Sequence, residues 1–215
     1  MLRDWDMSKV SDGRLYTSND MAKLGCQECA GCSECCRIVG DSIVLDPYDV
    51  YCLSEHLGQN FEELLVSRLS LGVVDGIVLP HLNIADDGSG CGFLDKAGRC
   101  SVHSVRPGIC RLFPLGRIFN DGTFSYFLQV NECKKSNRTK MKISKWLDIP
   151  NLPRYERFVN DWHWHLKGLS EEAAVCEDAD RLKQISMSVL KRFYLAAYDT
   201  ERDFYEQFYV RLREQ

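Results

Sequence analysis

Five cysteines stand within eleven positions, Cys26, Cys29, Cys32, Cys35 and Cys36, and no other feature of the sequence limits its folding so strongly. Three intervals are Cys-x2-Cys, a spacing at which two thiolates bend around one ion while the amides of the turn donate to the sulfurs. Cysteine supplies 11 of the 215 residues, and ten of those lie between residues 26 and 133. An odd count cannot pair completely into disulfides, and Met1 to Val10 hold no apolar stretch followed by small residues that would read as a secretory signal. The chain is therefore expected in the cytoplasm, with cysteines that bind metal rather than each other. Cys35 and Cys36 are neighbours about 3.8 Å apart at Cα, and in extended backbone their side chains leave on opposite sides. They are expected to serve different centres, unless one bridges.

A second group follows at Cys91, Cys100 and Cys110. A turn at Asp95 to Gly98 brings the first two together, and Ser104, ahead of Pro107, starts a short helix that carries Cys110 inward. Arg106 and Arg111 are placed to donate to sulfur and offset thiolate charge. Cys133 comes after a hairpin over 117–130, whose turn, Asn120-Asp121-Gly122, supplies positive φ between two β-rich runs. Four ligands from the first group, three from the second and Cys133 make eight thiolates, the complement of two tetrahedral sulfur sites. Closed sites favour structure or electron transfer, because a hydrolytic zinc keeps a position open for water. Cys26-x2-Cys29-x2-Cys32-x3-Cys36 also has the spacing of a bacterial ferredoxin run, with Arg37 where proline is usual. Zinc and an iron-sulfur cluster such as 4Fe-4S both stay open.

Taken together, Cys29-x2-Cys32-x2-Cys35-Cys36, the Ile43-Val44-Leu45-Asp46 strand with Asp49, Cys91-Gly92-Phe93-Leu94, Cys100, and Arg106-Pro107-x2-Cys110-Arg111-x-Phe113-Pro114 resemble the YkgJ family of cysteine-cluster proteins. The resemblance spans roughly residues 26 to 135 and implies a zinc- or iron-chelating domain. Cys26 lies outside its core pattern. The family includes flagellin lysine N-methylases, so the resemblance also implies, as an alternative, a protein-lysine methyl-transfer enzyme with a protein substrate such as flagellin. The sequence holds no convincing site for S-adenosylmethionine, and whether the chain is an enzyme is left open.

Elsewhere the chain reads as an ordinary folded one. Hydrophobic residues make up 45% and charged residues 27%, with a net charge of -4, and no apolar run approaches the roughly 20 residues that cross a bilayer. Residues 1–25 show no clear period and read as an arm on the surface. Ser42 to Leu45 is a short strand. Asp46, Pro47 and Asp49 open a helix that ends at Gly58, and Asn60 with Glu63 opens a second that stops at Gly72. Val73 to Leu79 and Leu82 to Ala85 are β-like pieces. From Ser144 the period is helical, with Tyr155, Phe158, Val159, Trp162 and Leu166 on one face and Ser170 and Thr200 as caps. The expected class is α+β: an arm (1–25), an irregular, metal-stapled cysteine domain with short strands and a helical hairpin (26–135), and a C-terminal helical region (136–215).

Several features read more simply as structure. Cys52 and Cys176 stand apart from the clusters as plain thiols, and His103 is a satisfied turn histidine more readily than a ligand. His163 and His165 alternate with Trp162 and Trp164 on a packed helix. Gly88, Gly90 and Gly92 lack the helix and ribose acid of a nucleotide loop. The basic run Lys134, Lys135, Arg138, Lys140, Lys142 and Lys145 reads as solvated, although a zinc module that binds nucleic acid through it is a third reading. The acidic balance argues against that one.

Overall fold

The computed structural model describes residues 7–25, 32–38, 42–85, 87–88, 90–135 and 137–214. Cys26 and Cys29 lie outside the described residues, as do 1–6 of the arm. The architecture is α+β, with short antiparallel strands in the first two thirds and helices dominating the remainder.

The expected helical hairpin is present. Helix α3 (Pro47–Leu57) has Asp46 as its cap: Asp46 Oδ1 accepts the Asp49 N–H at 2.8 Å, and Asp49 reaches back to the Asp46 N–H. Helix α4 (Phe61–Ser67) repeats this with Asn60 and Glu63. Such reciprocal caps satisfy amides that a helix start leaves unpaired. Gly58 ends α3 in the left-handed region. Gly72 does not stop α4, which closes at Arg68; the glycine lies within the next strand.

That strand, β3 (Leu69–Val74), turns through Asp75 and Gly76, both at positive φ, into β4 (Ile77–Leu82). The first β-like piece expected there, Val73 to Leu79, thus spans the Asp-Gly turn of one hairpin, while of the second, Leu82 to Ala85, only Leu82 belongs to β4 and Ile84 makes an isolated bridge to Cys91. The segment at Ser42 to Leu45 makes a single β-bridge, Val44 to His81, flanked by Leu45 N–H to Pro80 O and Leu82 N–H to Ile43 O. The expected second hairpin is β5 (Leu115–Asn120) and β6 (Thr123–Gln129), turning at Asp121 and Gly122.

Within the expected arm, residues 11–25 carry two strands. After the single turn α1 (Met7–Val10), β1 (Ser11–Tyr16) adds to β6, giving the order β1-β6-β5. Strand β2 (Met21–Gly25) pairs with β7 (Thr139–Lys142), burying Ala22 and Leu24. Part of the basic run is therefore a strand.

Two short helices complete the cysteine-bearing part: α2 (Glu34–Ile38) and α5 (Gly108–Leu112). Beyond β7 come α6 (Ile143–Leu147), α7 (Leu152–Ala174), α8 (Ala179–Leu190), a π-helical turn at Lys191–Leu195, and α9 (Phe204–Arg213). At 23 residues α7 is about 34 Å long and pins both hairpin turns, Asn160 donating to Gly122 O and Ser170 to Asp75 O. Ser170 is thus a mid-helix residue rather than a cap, and Asp203, not Thr200, caps α9. Phe158 is fully buried, with Phe204 and Phe208 edge-on at 5.5 and 4.7 Å. Tyr194 carries the helical region back to the hairpin by donating to Leu45 O at 2.9 Å. Among the described residues no helix is long and apolar enough to cross a membrane.

Candidate metal centre

The first cysteine group meets the second through one backbone contact. The Cys91 N–H donates to Cys36 O at 2.8 Å. Gly90, at φ 135°, makes this possible: a Cβ there would lie 2.6 Å from Cys36 O and 2.8 Å from Arg37 Cα, both backbone atoms that cannot step aside. Glycine is required by positive φ and close approach together, not by a nucleotide.

Cys35 and Cys36 sit on α2, and their sulfurs are 4.0 Å apart. The extended geometry that separated them is not the one adopted, because a helical turn leaves neighbouring side chains much closer in direction. A tetrahedral ion with bonds near 2.3 Å holds its sulfurs roughly 3.8 Å apart, so the observed spacing suits two ligands of one ion. Their titration is that of a pair. A hydrogen bond from Cys36 lowers Cys35 to about 6, with the Arg106 charge assisting, while the same bond and burial push Cys36 upward.

Cys91, Cys100 and Cys110 lie within electrostatic range of this pair. The turn at Asp95 to Gly98 forms, with Asp95 accepting from Ala97 and Arg99, and Leu94 bridges Cys100. Burial raises all three thiols, and the Cys35 charge contributes to each, so one sulfur is within electrostatic reach of the others. The N–H of Phe93 donates to Cys91 and that of Val102 to Cys100, two residues on in both cases. Amides turned toward sulfur in this way stabilise thiolate ligands.

Cys110 rides on α5, which is a turn later than expected: a 3-10 turn at His103–Val105 precedes it, and Pro107 stands at its start. Asp49 holds that start, accepting the Gly108 N–H at 2.7 Å, while the Tyr155 hydroxyl leaves no room for a Cβ at Gly108. Burial raises Asp49 to about 6 despite the Gly108 N–H and the charge of Arg117. Arg106 acts on the cluster by charge, lowering Cys35 and Cys100, and donates to His103 Nε2. Its buried Nε has no partner among the described residues. Arg111 serves another purpose: its guanidinium is taken by the carbonyls of Ser104, Arg106 and Asp148, so it staples the loop and donates to no sulfur among the described residues.

Cys32 is half-buried just before α2. Cys133 is half-buried on the loop after β6, where its neighbour Lys134 pairs with Glu34 of α2 at 2.9 Å. Cys52 stands apart in α3, raised to about 12 by burial, and Cys176 donates to Asp178 O. Among the described residues no three His, Cys, Asp or Glu side chains close on a common point. In donor chemistry the residues suit a thiophilic ion: soft thiol ligands, amides directed at sulfur and the Arg106 guanidinium, whose Nε has no partner among the described residues. The sequence marks Asp49 as a helix-capping residue and Gly90 as part of a glycine-rich turn; the tie from Asp49 to Gly108 and the close approach at Gly90 depend on long-range packing.

Comparison with known proteins agrees with this chemistry. No curated protein and no solved structure matches the chain. The family model that matches does so over residues 28–143, more than half of the sequence, from the first cysteine group to the end of β7. The chain belongs to the CxxCxxCC family, described as a putative zinc- or iron-chelating domain.

Proposed function

We propose that this protein binds zinc or an iron-sulfur cluster through thiolates contributed by both cysteine groups. Cys35, Cys36, Cys91, Cys100 and Cys110 are its nearest set of ligands, with Cys26, Cys29, Cys32 and Cys133 completing the coordination. The observation that supports the reading is the joint at Gly90, where Cys91 N–H meets Cys36 O and ties together two cysteine segments more than fifty residues apart in sequence. Bound metal would stabilise as thiolates the thiols that burial, and to a lesser degree their mutual repulsion, now raises, and Arg106 would offset the remaining negative charge.

Anaerobic purification with metal analysis and a visible spectrum tests this. The reading predicts stoichiometric metal: a colourless protein with zinc, or a brown, oxygen-sensitive one with iron. Folded protein that carries neither, and takes up neither on reconstitution under reducing conditions, would refute it.

A further inference from the structure

A cleft of about 620 Å³ opens between α7 and α8, within the range of small-molecule sites. Its apolar surface comes from Trp164, Leu169, Ile185, Val189 and Phe193, and its polar surface includes Gln184, Ser188 and Arg192. Arg181, at the same cleft, is occupied by Glu172 at 2.6 and 3.0 Å. Arg192 is not: among the described residues no carboxylate pairs with it, and its cation lies only over its neighbour Phe193. With that ion pair internally balanced, Arg192 is the cation of the cleft lining with no carboxylate partner among the described residues.

Two local features shape this cleft. The chain departs from α-helix over Lys191–Leu195, with Ala196 N–H bonding to Lys191 O, and this π-helical turn carries Arg192 and Phe193 into the cleft. Such turns cost helix regularity and are frequent at functional sites. Gly168, also lining the cleft, lies inside α7, where glycine is worse than alanine, yet a Cβ there would meet nothing within 4 Å. Among the described residues nothing occupies the place of that Cβ, so a large side chain at 168 would project into the cleft.

We propose that this cleft binds an amphipathic monoanion, its apolar body against Trp164 and Phe193 and its carboxylate on Arg192. His165 stands beside Arg192 and is held neutral by burial and by that charge, so it can hydrogen-bond the acid without adding a second cation. This site stands independently of metal binding.

The test uses the full chain with 1-pyrenebutyrate and its neutral analogue 1-pyrenebutanol, followed by fluorescence anisotropy. Saturable binding of the acid is expected, roughly tenfold or more tighter than the alcohol, as befits a charged hydrogen bond. Arg192→Gln should erase that preference, and Gly168→Leu should abolish binding of both, while Gly168→Ala keeps the fold with an unchanged or higher melting midpoint. Absence of saturable binding to the folded chain, equal affinity for acid and alcohol, or binding undiminished in both Arg192→Gln and Gly168→Leu would overturn the proposal.

Discussion

The cysteine-bearing region and the helical region are held together by different means. Around α7 and α9, Phe158, Phe204, Phe208, Trp162 and Phe193 form a continuous aromatic core in which Phe158 meets Phe204 and Phe208 edge-on and Trp162 meets Phe193 likewise, and apolar burial there depends on nothing outside the chain. Around α2 and α5 the elements are five residues each, α2 buries no residue, and the joints are single hydrogen bonds at Gly90 and Asp49. Buried thiols there are raised, and each would gain from an ion. One region is stabilised by what it excludes, the other by what it can hold.

Substitutions that act on one region alone test this contrast. Phe158→Ala should be the most damaging, about 3–5 kcal/mol by denaturant unfolding, because a fully buried ring is lost from the aromatic core. Its folded fraction should still bind metal in full; if metal is lost in proportion, the two regions are not separable. Asp49→Ala should cost about 1–3 kcal/mol by orphaning the Gly108 N–H. It should also weaken metal affinity about 10–100-fold in a chelator competition while helical circular dichroism persists. Asp49→Asn keeps the acceptor and should largely restore affinity, which a purely electrostatic role for the carboxylate would not allow.

A smaller effect is expected at His163, stacked on Phe119 at 3.6 Å and lowered by burial to about 4. The folded state then binds fewer protons than the unfolded one between about pH 4 and 6.5, so this contribution to stability is present above that window and lost as pH falls through it. Melting midpoints of His163→Phe should vary less with pH across that range than those of the natural chain. Smallest of all, Lys134→Ala removes an exposed pair with Glu34 and should leave the midpoint unchanged within error. A marked loss would mean that the Cys133 loop is held to α2 by charge rather than by the centre.

What was legible in the sequence was local. The caps at Asp46 with Asp49 and at Asn60 with Glu63, and the turn at Asp121-Gly122, are settled by residues a few positions apart, and each formed as expected. The Asp75-Gly76 turn carried the same signal but lay within an apolar run, so the run was read as one strand. Strands β1 and β2 could not be read because their partners lie more than a hundred residues onward, and pairing decides their fate rather than propensity. At the site, the cysteines announced themselves by spacing. Arg111 did not, since its choice of three carbonyls over sulfur depends on a loop conformation that the spacing leaves undetermined.

The central claim, that both cysteine groups grip the same metal, is tested most directly by X-ray absorption at the metal edge of the natural chain beside Cys36→Ser and Cys110→Ser. A first shell dominated by sulfur at about 2.3 Å, reduced in sulfur count or lost in each variant, is the predicted result. A shell of nitrogen and oxygen in the natural chain, or a sulfur shell unchanged in both variants, would contradict it.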